Sequence, residues 1–465
     1  MTLLITLLPF LASRVLAHSN HAEIQIYDSE VLLALSGYAP ICWADPEHLL
    51  GAHDIRRNGT EKWDCQNGDC DSSTRHPWTH STPCFRDSES DQELCVFTDT
   101  SFADGRGISL VTTLERANYL ASNRAFTEPE VLHGLNQDLL RTAPAKYEVR
   151  PVPGKGMGVV ATTHILRGEL IMANTASYMI DYAVFNGLSP EEYTDLQAHA
   201  VDHLPASHRA AILALSSHNT PSTNSSSNLT HTALIDKITA TNIFDIDPPP
   251  SDPDQHHSLA ALFPHIARIN HDCRPNAEYR FSHPLLAQLV HAARDIFPGE
   301  ELTISYLNPL QPLAARQKRL SQNWGFTCSC PACKSSSSTN PSLASESDSR
   351  IAQIQHLRNL LQTWDSNSSP NPSWDEIPTP AAAELLITLH TLERLHTTIH
   401  EAYILAALAY SAAGDEWTAM KYARMAIEYG TPMVGAEDED VQEMGRLVGD
   451  VRGHWSWMRR RRVSE

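Results

Sequence analysis

Cys328-Ser-Cys330-Pro-Ala-Cys333 places three thiols within six residues, and this run constrains the fold more than any other stretch of the chain. Thiols so crowded either pair as disulfides, remain as free core cysteines, or converge on a metal. Zn²⁺ takes four ligands in a tetrahedron. The nearest unassigned soft ligand is Cys273, in ARINHDCRPN (267–276). Counting ligands therefore predicts a three-plus-one zinc site of Cys273, Cys328, Cys330 and Cys333, which pins ARINHDCRPN against the end of its domain. A thiolate committed to zinc is no nucleophile, so Cys273 and His271 are set aside as a hydrolytic dyad.

The other five cysteines, Cys42, Cys65, Cys70, Cys84 and Cys95, lie in the first hundred residues behind MTLLITLLPFLASRVLA. That opening run has the length of a secretory signal and a small residue at Ala17, but no basic start, and Pro9 interrupts it. It is too short to span a bilayer comfortably. Together with the sequon at Asn58 it predicts a chain of the secretory pathway, with two disulfides and one cysteine left over, their pairing open. The alternative is a nuclear or cytoplasmic protein in which these cysteines are thiols or a second metal site. Sequons at Asn224 and Asn228 fall in a Ser/Asn-rich run and add little.

The chain carries 55 acidic against 35 basic residues. That balance argues against gripping a phosphate backbone, so no direct nucleic-acid binding is expected. It suits a cationic ligand such as a Lys/Arg-rich peptide, or simply solvated acidic faces. No oligomerisation signal stands out, and a monomer is expected.

Composition divides the chain into a signal-like segment (1–17), a Cys-containing N-terminal region (18–145), a middle domain (146–333), a linker (334–349) and a C-terminal helical region (350–465). In the middle domain, KYEVRPVPGKGMGVVATTHILRGELIM alternates as strands about a Gly-rich turn. An insert follows at about 188–257. It opens on a helix with Ser189 as N-cap, Pro190 in the first turn and Glu192 closing a capping box. It continues through low-complexity text at 218–232. Strand patterns return in AEYRFS, AQLVHAARD and ELTISYL. Beyond residue 350 the period is helical, and Ala402–Tyr429 has the spacing of one tetratricopeptide-like helix pair. One pair makes no solenoid, so it reads as a helical cap on the middle domain. Arg459–Arg462 reads as a solvated basic tail.

Four motifs then occur in order: Gly154-Lys155-Gly156-Met157-Gly158, Asn270-His271-x-Cys273-x-Pro275-Asn276, Gly299-Glu-Glu-Leu-Thr-Ile-Ser-Tyr306, and Phe326-x-Cys-x-Cys-x-x-Cys. Together they resemble the SET-domain protein-lysine methyltransferases with a post-SET zinc motif. The split domain and helical C-terminal part are most similar to the SET-and-MYND branch and its fungal relatives, without a MYND finger, since residues 180–260 hold no cysteine. The resemblance covers 146–333. It implies an α+β fold: a SET-type β-clip in which the Asn-His segment threads a pseudoknot, with a helical insert, a post-SET zinc loop and a TPR-like helical region.

The resemblance also implies S-adenosylmethionine in one cleft and a lysine of a histone or other protein entering from the opposite face. The activity implied is SAM-dependent protein-lysine N-methylation. Lys155, Gly156 and Met157 would approach the methionine part of the cofactor. Asn270 and His271 would hold its amino group and adenine, Asn242 would be a further cofactor contact, and Phe326 would line the channel or cover adenine. Tyr306 matches the active-site tyrosine. Read alone, GKGMG also fits an ordinary hairpin, and Tyr306 a strand-end core aromatic.

The chemistry accounts for a tyrosine. Methyl transfer from a sulfonium to a neutral amine is an in-line displacement, and alignment alone is worth roughly 7–11 kcal/mol. Lysine must arrive deprotonated, against a free pKa of about 10.4, and an apolar channel lowers that value. Two departures stand out. Trp324 occupies a position where the SET-and-MYND branch often has a second channel tyrosine, which bears on the number of methyls transferred and on activity itself. Asp272 replaces a serine and reads as a turn residue. The competing reading is a catalytically weak or inactive SET-fold binding or scaffold protein, in its secreted form if the opening segment is a signal.

Overall fold

Thirteen short strands, several of them buried along their whole length, lie among the described residues of this computed structural model. The described residues are 77–80, 83–87, 90–136, 146–217, 230–249, 251–254, 257–334, 341–363 and 379–459. The signal-like segment, Cys42, Cys65, Cys70, the sequons at Asn58, Asn224 and Asn228, and Arg460–Arg462 of the tail lie outside them.

In chain order the strands are β1 (Cys84–Arg86), β2 (Glu93–Asp99), β3 (Ile108–Thr113), β4 (Tyr147–Val152), β5 (Gly156–Ala161), β6 (Leu170–Thr175) and β7 (Tyr178–Asp181). They continue as β8 (Phe244–Ile246), β9 (Leu259–Leu262), β10 (Asn270–His271), β11 (Ala277–Ser282), β12 (Ala287–Ala292) and β13 (Glu301–Ile304). A six-stranded sheet has the order β1-β2-β3-β7-β9-β8, a four-stranded sheet β10-β13-β5-β4, and a three-stranded sheet β11-β12-β6.

The first sheet corrects the boundary expected near residue 146. β3 pairs in parallel with β7, Ser109 opposite Tyr178, so β1, β2 and β3 are half of the largest sheet rather than a separate region. The reason is burial: Ile108, Leu110 and Val111 are almost fully enclosed and need a second sheet half to cover them. At the sheet edge Cys84 and Cys95 face each other in register and are joined by a disulfide.

Helix α1 (Leu114–Ala121) starts on a Thr113 cap. Helix α2 (Pro190–Asp202) carries the expected Ser189/Glu192 capping box. With α3 (Ala206–Leu213) and α4 (His231–Asn242), α2 covers the sheet, burying Leu196, Val201, Ile212, Ile235 and Ile238 with Tyr178, Ile180 and Leu262. Helix α5 (Leu313–Trp324) ends on Gly325 at φ 71°, a left-handed turn that suits glycine and sends the chain into the cysteine run.

The C-terminal region comprises α6 (Pro341–Gln362), α7 (Pro380–Leu392), α8 (Ile399–Ala413), α9 (Glu416–Val434) and α10 (Glu439–Gly449). α6 begins inside the stretch expected to be a linker as far as 349. The expected helix pair is α8 and α9, turning at Gly414, φ 79°. These helices have their own core of Leu, Ile and Ala side chains. They reach the sheets through ion pairs Arg280–Glu437, Arg167–Glu428 and Arg274–Glu393. The Arg167 guanidinium also lies 3.8 Å over the Tyr429 ring.

Candidate active site

The site is built where β10 threads beside β13. The two run parallel, Asn270 opposite Thr303 and His271 opposite Ile304, although β13 follows some thirty residues later. Asn276 closes this knot with its side chain. Its amide donates to the Glu301 carbonyl at 2.9 Å, and its oxygen accepts from the Thr303 N–H at 2.8 Å. One buried asparagine thus satisfies an acceptor and a donor on one edge of a strand backbone. Asp272 forms the expected turn, accepting from the Arg274 N–H at 2.8 Å.

His271 is buried and uses both ring nitrogens. The Tyr306 N–H donates to Nδ1 at 3.0 Å, which places the ring proton on Nε2, 3.4 Å from the Cys273 sulfur. The imidazole therefore couples the cysteine cluster to the backbone of Tyr306. The Tyr306 hydroxyl donates to the Ile269 carbonyl at 2.8 Å. Burial first, then the charge of Glu301 and the nearby Tyr279, hold this phenol well above its ordinary range, so it stays neutral.

Around Tyr306 the walls are aromatic. Trp324 lies at 5.2 Å between ring centroids, and its indole N–H donates to the Thr241 carbonyl at 3.1 Å. That bond ties α5 to the end of α4, beside Asn242. His271 stands 5.3 Å from Tyr306 and 6.2 Å from Phe326.

Two cavities meet at Tyr306 and share no other residue. The first, about 280 Å³, is lined by Lys155, Met157, Asn242, Asn270, His271, Tyr306 and Phe326, with Trp324 and Cys328. It gathers every residue expected at the cofactor except Gly156. Gly156 contributes nothing to the lining and opens β5 at φ 78°. The second cavity, about 240 Å³, is lined by Glu278, Tyr279, Ser305, Tyr306, Leu307, Pro309, Thr397 and Thr398.

The first cavity's two asparagines are wired alike. Asn270 spends its amide hydrogens on the Met157 carbonyl at 3.2 Å and Glu301 at 2.9 Å. Asn242 spends its own on the Ser216 and Ile238 carbonyls at 2.7 and 2.8 Å. With the donors engaged, each side chain has its carbonyl oxygen left for a ligand, and such an acceptor suits an ammonium group. Gly158 is required here: a Cβ would stand 2.6 Å from Asn270 Nδ2. Lys155 is held by Glu301 at 2.6 Å.

Cys273, Cys328, Cys330 and Cys333 are all buried, with their sulfurs within 4.8 Å of one another. Four thiolates around zinc, at about 2.3 Å each, stand about 3.8 Å apart, so the cluster has the size the ion needs. Gln317 holds the ligand loop as a strand would, donating to the Cys328 carbonyl at 2.8 Å and accepting from its N–H at 3.0 Å. The buried Arg316 guanidinium lies near Cys273 and Cys333, where its charge offsets that of thiolates.

Glu278, Tyr279 and Thr397 were not among the residues expected from sequence. Glu278 and Tyr279 sit in AEYRFS, read only as a strand, and Thr397 comes from the loop after α7. The one signal for Glu278 and Tyr279 was position, two and three residues past the knot asparagine, and Thr397 had none.

The family model described as SET domain matches residues 156–307. These residues form a SET domain, with the mixed sheets and helices expected of the α+β class. Histone-lysine N-methyltransferase SET5 of Meyerozyma guilliermondii is 35% identical over 131 residues, covering 27% of this chain and 26% of that protein. Histone-lysine N-methyltransferase SMYD3 of Homo sapiens is 44% identical over 73 residues, 16% of this chain and 17% of that one. N-lysine methyltransferase SMYD2 of Bos taurus is 38% identical over 82 residues, 18% of each. The matched stretches thus span about a quarter or less of these relatives' length. The similarity to the SET-and-MYND branch and its fungal relatives is as expected from the motifs. No helix among the described residues is long and apolar enough to cross a membrane.

Proposed function

We propose that this protein is a SAM-dependent protein-lysine N-methyltransferase. The observation that carries the reading is the pair of cavities meeting only at Tyr306, one fitted for a cofactor and one open to an amine. S-adenosylmethionine, when bound, supplies an electrophilic methyl group on a sulfonium. The Asn242 and Asn270 oxygens would hold its ammonium, and Met157, Trp324 and Phe326 its apolar parts. His271 acts through its ring on Tyr306 rather than as a ligand.

The chain's own contribution is alignment. Tyr306 donates its proton to Ile269, so its oxygen lone pairs are left to accept from the reacting amine and the polarised methyl. A neutral phenol in a water-poor junction adds no charge that would hold a lysine in its protonated form. The four cysteines would hold one zinc ion, whose role is structural: it fixes His271, and through it Tyr306. The substrate is a lysine-bearing protein, and the relatives' names favour a histone. The nucleus or cytoplasm supplies both cofactor and such substrates.

The test is transfer of labelled methyl from S-adenosylmethionine to histones or a whole lysate. Wild-type protein should label a protein band, and Tyr306→Phe should lose at least about tenfold in rate, 1.4 kcal/mol, with cofactor affinity unchanged. Cofactor binding without any transfer by wild type, or full speed in Tyr306→Phe, would overturn the reading.

A further inference from the structure

The second cavity contains a carboxylate that neither the cysteine cluster nor the cofactor pocket uses. Glu278 stands on β11, two residues past Asn276, so the knot that fixes Tyr306 fixes it too. It shares the cavity of about 240 Å³ with Tyr279, Ser305, Tyr306 and Thr397. Its carboxylate accepts from the Tyr279 N–H at 3.2 Å, and Thr397 lines the same cavity beside it. Thr397 is itself buried in the loop joining α7 and α8, so the helical region forms one wall of this cavity.

Among the described residues no cation faces Glu278. Its strand partner His291 is half-buried and neutral, its pKa lowered to about 3 by desolvation and by Arg280. Arg280 in turn is paired with Glu437 at 3.1 Å. Glu278 itself forms no ion pair among the described residues. A carboxylate enclosed with hydrogen bonds but without a counter-ion is costly to a fold. It is economical when the cation arrives from outside, and here the cavity leads to the tyrosine where an amine must react.

We propose that Glu278 is the cation-recognising group of the amine cavity, meeting the charged ε-ammonium of the substrate lysine as it enters, before that ammonium gives up its proton to solvent and the neutral amine reacts beside Tyr306. This rests on the methyltransferase reading and narrows it. The cavity selects a charged amine over an isosteric apolar chain before any methyl moves. Glu278 is a positioning residue, and the Tyr279 N–H sets the direction of the carboxylate.

The probes are N-acetyl-lysine N-methylamide and its norleucine counterpart, which differ only in the ammonium. Each is titrated by NMR into the full-length chain saturated with S-adenosylhomocysteine. Wild type should prefer the lysine probe by ten- to a hundredfold, the value of a hydrogen bond to a charged group, about 1.5–3 kcal/mol. Glu278→Gln should lose that preference, Glu278→Asp should keep part of it, and Tyr306→Phe should keep it. Cofactor affinity, measured on the other cavity, should be unchanged in Glu278→Gln and shows that the variant is folded. Equal preference in wild type and Glu278→Gln, or none in wild type, overturns the proposal. A wild type that discriminates through Glu278 yet methylates nothing sustains this proposal and sinks the enzymatic one. A wild type that methylates, with discrimination unmoved in Glu278→Gln, does the reverse.

Discussion

Arg274 lies between the cluster residue Cys273 and the knot residue Asn276, and Glu393 at the end of α7 holds it. The pair is 2.7 Å apart with side chains 2% and 5% exposed. Glu393 also accepts from Arg350 at 2.6 Å and Ser347 at 2.9 Å. Replacing Glu393 by Ala strands the Arg274 guanidinium, whose Nε is already without a partner. Removing one member of a buried pair costs about 3–5 kcal/mol, because the other charge is left uncompensated. Arg350 is one-third exposed, so Arg350→Ala should cost less than about 1 kcal/mol. The asymmetry between the two variants is the signature. Urea unfolding at pH 7 would read both, and a chelator titration would show Glu393→Ala releasing zinc at lower competitor concentration, since the clamp bears on the Cys273 loop. The pH dependence has a definite sign. Burial alone would raise the Glu393 pKa, but Arg274, Arg350 and Ser347 together keep it below the ordinary carboxylate range. The unfolded chain therefore takes up the proton first on acidification. The clamp's contribution is complete above that range and is lost as pH falls through the lowered value, where wild type and Glu393→Ala should converge. A Glu393→Ala protein within 1 kcal/mol of wild type at pH 7, or one less perturbed than Arg350→Ala, would refute the clamp.

Three further outcomes are expected. Gly158→Ala puts a Cβ 2.6 Å from Asn270 Nδ2 and 2.7 Å from Val152 Cγ2, so calorimetry should show S-adenosylmethionine affinity falling at least about tenfold; unchanged affinity would contradict the role given to Asn270. Cys273→Ser should lose zinc and folded structure before it loses chemistry, and a folded, zinc-replete but inactive variant would contradict that order. Glu278→Gln should stabilise the protein at pH 8: burial lifts this carboxyl from 4.5 to about 7, so ionising it costs the folded state about 3 kcal/mol. The wild type should lose that stability as pH rises from 4.5 to 7, and the variant should not; parallel unfolding curves across that window would show the carboxylate to be unburdened.

What could be read from the residues, and what could not, divides along a physical line. That Cys273 would converge on Cys328, Cys330 and Cys333 was legible because coordination chemistry demands a number, so three crowded thiols call for a fourth wherever it lies. The α2 start was legible because a cap is a local bargain between Ser189 and Glu192, three residues apart. By contrast β3 looked like part of a separate N-terminal region, since nothing within 84–113 states that its partner is β7, on the far side of a Gly-rich hairpin. Parallel pairing leaves no turn signal between the strands it joins. Glu278 and Glu393 were hidden for a related reason. Each is a single acidic residue in ordinary strand or helix text, and each acquires meaning only from a partner brought in by tertiary packing, Thr397 for one and Arg274 for the other. Both partnerships join the SET domain to the C-terminal helices. The helical region is therefore more than a cap: it supplies the carboxylate that pairs with Arg274 beside the cysteine cluster and the threonine that walls the Glu278 cavity. Cutting the chain after Cys333 would remove Glu393 and Thr397 together, leaving Arg274 uncompensated and the cavity without a wall, although every motif that identifies the domain would still be present.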